Sequence, residues 1–230
     1  MPGTTPRRRL SAGARRVREH CVLALISAAL IMAMFRIVPF NSTNGNSNGI
    51  FRWSIATAYA SLALLVTSLV IGPLNVLRSR PNPVSTNLRR DVGIWAGAIG
   101  LAHVVFGLQV HLRGRMLQYF FDPKRAGLKI PLRIDRFGAA NYTGLVAGLL
   151  LLLLLTISND VSLRTLGKPR WKLLQRLNYF AMGFTVLHGI FYQWVEDQKP
   201  GFIAVFAIQI LIAIGFQVAG YRAVRSSGAT

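Results

Sequence analysis

The apolar residues of this chain are gathered into six runs of about 18 to 23 residues, the length an α-helix needs to cross roughly 30 Å of hydrocarbon. Backbone inside lipid must satisfy its own hydrogen bonds, which leaves helices and closed barrels as the spanning structures. A barrel strand alternates apolar and polar residues. These runs are continuous, most plainly in the seven successive leucines Leu149 to Leu155. The sequence therefore predicts an all-α membrane protein, a six-transmembrane-helix bundle with helices near residues 19–38, 53–77, 92–112, 140–158, 174–195 and 202–223. Residues 1–18 read as a basic tail, 19–223 as the transmembrane domain and 224–230 as a second tail. Seven identical side chains cannot encode a binding face, so the leucine run reads as lipid-facing. Gly138, Gly144 and Gly148, just before it, read as points of close helix approach.

A formal net charge of +20 would point to nucleic acid in a soluble protein. Here the basic residues lie between the helices, where they set topology instead, so no nucleic-acid partner is expected. The amino-terminal tail holds Arg7, Arg8, Arg9, Arg15, Arg16 and Arg18, and the second connection Arg78, Arg80, Arg89 and Arg90. The fourth connection and the helix start after it hold Arg164, Lys168, Arg170, Lys172 and Arg176, and the carboxyl-terminal end Arg222 and Arg225. All fall on one side if both termini are cytoplasmic. The first and fifth connections hold little beyond Arg52 and Lys199, and the fifth adds Glu196 and Asp197. The third connection breaks this pattern, with Arg113, Arg115, Lys124, Arg125, Lys129, Arg133 and Arg136 on the external side. It reads as an amphipathic segment lying on the membrane, with Met116 to Phe121 dipping in. Its sharper reading is a dock for an acidic partner protein or for haem propionates.

The Arg-rich start followed by an apolar run is similar to a signal peptide, but the run is long and no small-x-small cleavage pattern follows, so an uncleaved anchor in a bacterial inner membrane is expected. Cys21 is the single cysteine, which excludes an intrachain disulfide and any four-cysteine zinc or iron–sulfur site. It reads as a small buried residue near the membrane boundary.

Four histidines remain: His20, His103, His111 and His188. His20, beside Arg18 and Glu19, reads as solvated or facing headgroups. His103 and His188 lie deep in apolar segments, where an imidazole without a partner is costly, and such residues mark functional sites. At about 1.5 Å per residue, His103 lies roughly 16 Å and His188 roughly 20 Å from the inner ends of the third and fifth helices. Two imidazoles at matching depth suit a b-type haem with two axial ligands. They equally suit two histidines hydrogen-bonded within the bundle. His111, roughly 28 Å along its helix, is a poorer match and stands as an alternative ligand if the boundaries shift by a turn.

Gly144 to Gln193 reads GLVAGLLLLLLLTISNDVSLRTLGKPRWKLLQRLNYFAMGFTVLHGIFYQ. An apolar helix ending in Thr-x-Ser is followed by Leu-Gly, a basic Trp-Lys, Arg-Leu-x-Tyr and a Leu-His before aromatics. This order resembles the ferric-reductase-like transmembrane family, and within it the branch that supplies the haem subunit of periplasmic methionine sulfoxide reductase systems. LRRDVGIWAGAIGLAHVVFGL, Leu88 to Leu108, is similar to the family segment in which Arg-Arg-x-x-Gly leads to a haem-binding histidine. The match covers about residues 78–195. The resemblance implies a six-helix bundle holding haem b and passing electrons across the membrane, with His103 and His188 as axial ligands to the haem iron. Arg89, Arg90 and Arg176 would be available to haem propionates. The family's other fifth-helix histidine, thirteen residues earlier, corresponds to Gln175. An amide is not a normal haem ligand, which implies one haem rather than two. No nucleotide-binding pattern is present, so any flavin would belong to a partner.

Three functions follow as expectations. The first is a haem b electron-transfer subunit serving partner proteins or small carriers. The second is an accessory subunit that kept the bundle and lost transmembrane electron transfer. A transporter is weaker, because the sequence places no acidic residue within the helical cores and shows no repeat.

Overall fold

A computed structural model of the chain describes residues 12–38, 48–80, 87–112, 115–125, 127, 129–196 and 200–227. Arg7, Arg8, Arg9, Arg113, Asp197 and Lys199, and residues 228–230 of the carboxyl-terminal tail, lie outside the described residues. The helices are α1 (Ala12–Ile37), α2 (Asn48–Leu77), α3 (Asn87–Val110), α4 (Arg136–Ile157), α5 (Asp160–Gln175), α6 (Leu177–Val195) and α7 (Pro200–Ser227). No strand occurs among the described residues; one isolated antiparallel bridge joins Phe121 and Leu132.

Five helices are long and apolar enough to cross a membrane: α1, α2, α3, α4 and α7. The sixth expected span, α6, falls short by composition. Asn178, Tyr179, His188, Tyr192, Gln193 and Trp194 dilute its apolar residues. It nevertheless lies along α4, which is its main packing partner.

The bundle has two parts. Helix α2 is the centre of the first, buried at Ala56, Ala60, Leu65 and Leu69 and packed on α1, α3 and α7. Small residues allow close approach: a Cβ at Gly100 would lie 2.9 Å from Ser61 Oγ, and one at Gly220 would lie 2.8 Å from the Pro73 ring. The second part is α4 against α6, joined to the first chiefly where α4 meets α3. Gly148 approaches Val104 of α3 and Gly144 approaches His188 of α6, as close-contact glycines should, whereas Gly138 abuts the Arg133 carbonyl of the preceding loop. The leucine run is not a single lipid face. Leu151 and Leu154 are buried while Leu149, Leu152 and Leu153 are exposed, because seven residues pass around nearly two helical turns.

The segment expected as a simple connection before residue 174 is the amphipathic helix α5. Asn159 caps it, its Oδ1 accepting from Ser162 N–H at 2.8 Å. Gly167, at φ 71°, kinks it two residues before Pro169. Trp171 Nε1–H donates to the Ile157 carbonyl at 2.9 Å, tying α5 to the end of α4. Helix α4 starts at Arg136, earlier than the expected residue 140, because Asp135 caps it through Gly138 N–H at 2.7 Å.

Contacts between helix ends set the alternation. The starts of α1, α3 and α5 meet through Arg16, Arg90 and Asp160. The opposite end gathers the end of α1 with the starts of α2 and α4 and the ends of α3 and α6. These are called the tail end and the loop end below.

Candidate functional site: a histidine pair at the seam of the bundle

His103 comes from α3 and His188 from α6, one from each part of the bundle, and their rings face across the seam. The ring centroids are 6.0 Å apart with planes at 71°. His103 Nδ1 lies 2.9 Å from the Ser54 carbonyl on α2, with Ser54 Oγ at 3.4 Å. His188 Nδ1 lies 2.8 Å from the Ala140 carbonyl on α4. A carbonyl oxygen can only accept, so both Nδ1 atoms carry the proton and both Nε2 atoms keep a lone pair. That is the tautomer and anchoring a metal-ligating histidine needs. Ala140, four residues before Gly144, places its carbonyl toward α6 because the glycine lets the two helices close up.

The rings lie in a cavity of about 370 Å³ walled by α2, α3, α4, α6 and Phe206 of α7. Its wall is mainly apolar, aliphatic and aromatic, and its polar lining includes both histidines, Ser54, Ser61 and Thr185, with His111, Tyr192 and Glu196 at the loop end. Two metal–nitrogen bonds of about 2 Å, with half a ring on either side, come close to the observed centroid separation. The donor set thus fits a metal with two axial imidazoles. Among the described residues no three His, Cys, Asp or Glu side chains come together to hold a metal by themselves.

At the loop end, His111 Nε2 lies 2.6 Å from Glu196 Oε1, with the two side chains 13% and 10% exposed. This contact engages the Nε2 of the histidine expected as an alternative ligand with a carboxylate. Its ring stacks on Tyr192 (5.9 Å, 28°), and Tyr192 in turn lies 4.8 Å from the His188 ring. Tyr192 O–H donates to Asn141 Oδ1 at 2.8 Å. The third connection folds over this end. Phe121 pairs with Leu132, and Tyr119 turns inward, its hydroxyl accepting from His111 N–H and donating to the Gly107 carbonyl, both at 3.1 Å. Burial pushes the Tyr119 phenol up from its ordinary pKa. Met116 and Leu117 point outward as the membrane-surface reading expects, but Tyr119 is a plug. Arg133 donates to the Gln118 carbonyl and Asp135, and Arg136 lies over the Trp194 ring at 5.8 Å, so part of the basic charge has an internal role.

The arginines expected near propionates stand elsewhere. Arg89 is half-buried in the first turn of α3, and Arg176 is exposed between α5 and α6. By helical rise they lie roughly 21 Å below His103 and 18 Å below His188, too far along the helices to reach a group centred on the pair. Arg90, buried, is instead bound to Asp160 at 2.6 Å, and Arg16 reaches the same carboxylate at 3.3 Å. The Arg90 hydrogen bond and charge, joined by Arg16, hold the Asp160 carboxyl below its ordinary pKa.

Sequence reasoning missed Asp91. It is fully buried at the start of α3, its carboxylate has no hydrogen-bond partner among the described residues, and His20 Nε2 lies 3.6 Å away. His20 is therefore not simply solvated, and an acidic residue does lie inside the bundle. The only signal was Asp91 adjoining an apolar run. Cys21 is exposed rather than buried. Gln175 Nε2–H donates to Ser158 Oγ at 3.4 Å, linking α5 to the end of α4. No protein-family model matches the sequence.

Proposed function

We propose that this chain is the haem b membrane subunit of an electron-transfer system, binding one haem between His103 and His188. The observation that carries the reading is the anchoring of both Nδ1–H groups on backbone carbonyls of neighbouring helices, which presents two Nε2 lone pairs across one cavity. One-electron exchange is the chemistry a bound haem supplies. The chain's part is to hold the two rings, fix their tautomers and exclude water with apolar walls. In this reading α6 is the sixth span, because its histidine meets α3 and α4 at mid-bundle, and both termini are cytoplasmic in a bacterial inner membrane, following the basic residues. An acidic redox partner docks on the basic connection that closes the loop end, and flavin, where used, belongs to a partner.

A reduced-minus-oxidised optical spectrum of the purified protein tests it. Haem b bands at one haem per chain are expected. Their absence from protein produced with ample haem would overturn the reading.

The second reading is an accessory subunit that kept the bundle without a conduit. Gln175 favours it: the amide is engaged with Ser158 and Arg90 with Asp160, so both side chains have partners other than an inner haem.

A further inference from the structure

We propose that the His111–Glu196 pair at the loop end is a redox-linked proton site, taking up a proton from the aqueous phase when an electron enters the bundle at the histidine pair. The inference rests on the haem reading above and adds a second chemistry, proton uptake.

The observations are geometric. The cavity that holds His103 and His188 extends to His111, Tyr119, Asn141, Tyr192 and Glu196. Ring contacts run from His188 to Tyr192 at 4.8 Å and from Tyr192 to His111 at 5.9 Å, and the last step to Glu196 is 2.6 Å. The pair is nearly buried yet sits just past the helix ends, so it senses charge inside the low-dielectric bundle while keeping a route to water. The groups in contact with it are Tyr119 from the connection, Tyr192 from α6 and Phe137 from the start of α4, whose ring lies under Arg133 of the connection; Arg136 lies over Trp194, two residues before Glu196. Tyr59 on α2 lines the cavity farther along, and α7 brings the apolar Phe206 to its wall. Neither His111 nor Glu196 has a ring contact or hydrogen bond with His103 or His188 among those described.

The proposal places one proton between His111 Nε2 and Glu196 Oε1 in the oxidised protein, so that the pair carries one negative charge. One electron from a one-electron donor adds a further negative charge at the site. Coulomb attraction in this environment then favours protonation of His111 at Nδ1, with Glu196 stabilising the imidazolium. One electron and one proton enter; no other bond forms or breaks. Reoxidation reverses both.

The test is spectroscopic redox titration of the purified haem-loaded protein from pH 5 to pH 9. Proton uptake on reduction means that the midpoint potential falls as pH rises within that range. In His111→Asn the slope should vanish. In Glu196→Gln the sloping region should move to lower pH, since the imidazolium has lost its anion. His20→Asn, at the other end of the bundle, should titrate as the wild type does. A wild-type potential that ignores pH, or an unchanged slope in His111→Asn, overturns the proton site while leaving the haem reading intact. A purified protein without haem b bands overturns both.

Discussion

A Cβ at Gly144 of α4 would lie 2.5 Å from Nδ1 of His188 on α6. The absence of a side chain at one residue thus sets the position of the other, and with it the hydrogen bond to the Ala140 carbonyl. Gly144→Ala must displace the ring or the helix, so it should destabilise by about 1–3 kcal/mol as overpacking does and weaken haem retention. Thermal melting with the Soret absorbance as readout checks it; a mutant with wild-type values on both would mean that α6 can shift without loss.

His103→Ala and His188→Ala should each abolish low-spin haem, whereas His20→Ala should leave it. The optical spectrum decides, and a wild-type spectrum in either mutant would break the pairing.

Haem stoichiometry by pyridine haemochrome should not exceed one per chain. Gln175 occupies the place where the resemblance puts another histidine, and its amide donates to Ser158. A value near two would show that some other residue has taken over as a ligand.

Both termini are expected in the cytoplasm. In a Cys21→Ser background, an impermeant thiol reagent applied to intact cells should label Gln198→Cys and spare Thr4→Cys. The reverse pattern would invert the protein.

Asp160 gives a pH prediction. Its folded pKa lies below the unfolded value of 3.8, so its contribution is present above that value and is lost as pH falls through the lowered folded pKa. Asp160→Asn should melt earlier than the wild type at pH 7, since it strips a buried Arg90 of its anion. The two should converge once the pH falls below the lowered folded pKa of Asp160. A difference that persists there would mean the loss is not electrostatic.

The helices themselves were legible because a span needs a continuous apolar run, and all six expected segments are helical. What separates α6 from the other five is its load of Tyr, Trp, His, Asn and Gln: His188, Tyr192 and Gln193 line the cavity, whereas Asn178 and Tyr179, near its other end, reach Ser68 and Gln217. Helix α5 was not legible because Gly167 and Pro169 both disfavour a helix interior; the structure keeps the helix by kinking it at a positive φ. The juxtaposition of His103 and His188 could be anticipated from depth, since helical rise converts residue counts into height. Their carbonyl anchors could not, because Ser54 and Ala140 are distant in sequence and bring no distinctive side chain to the contact. Asp91 with His20 and Glu196 with His111 were illegible for a related reason. Each is an ionisable residue near a helix end that reads as surface until the neighbouring helix covers it.

Because α7 returns to pack on α2, the part of the chain carrying α4 and α6 is an insertion within the part carrying α1, α2, α3 and α7. The His103 and His188 rings therefore hang from two parts that meet chiefly where α3 packs on α4. A molecule clasped by both imidazoles would act as a rivet across that seam, and it could be set only after the chain had been synthesised as far as α6, so its capture would record that the inserted part had docked.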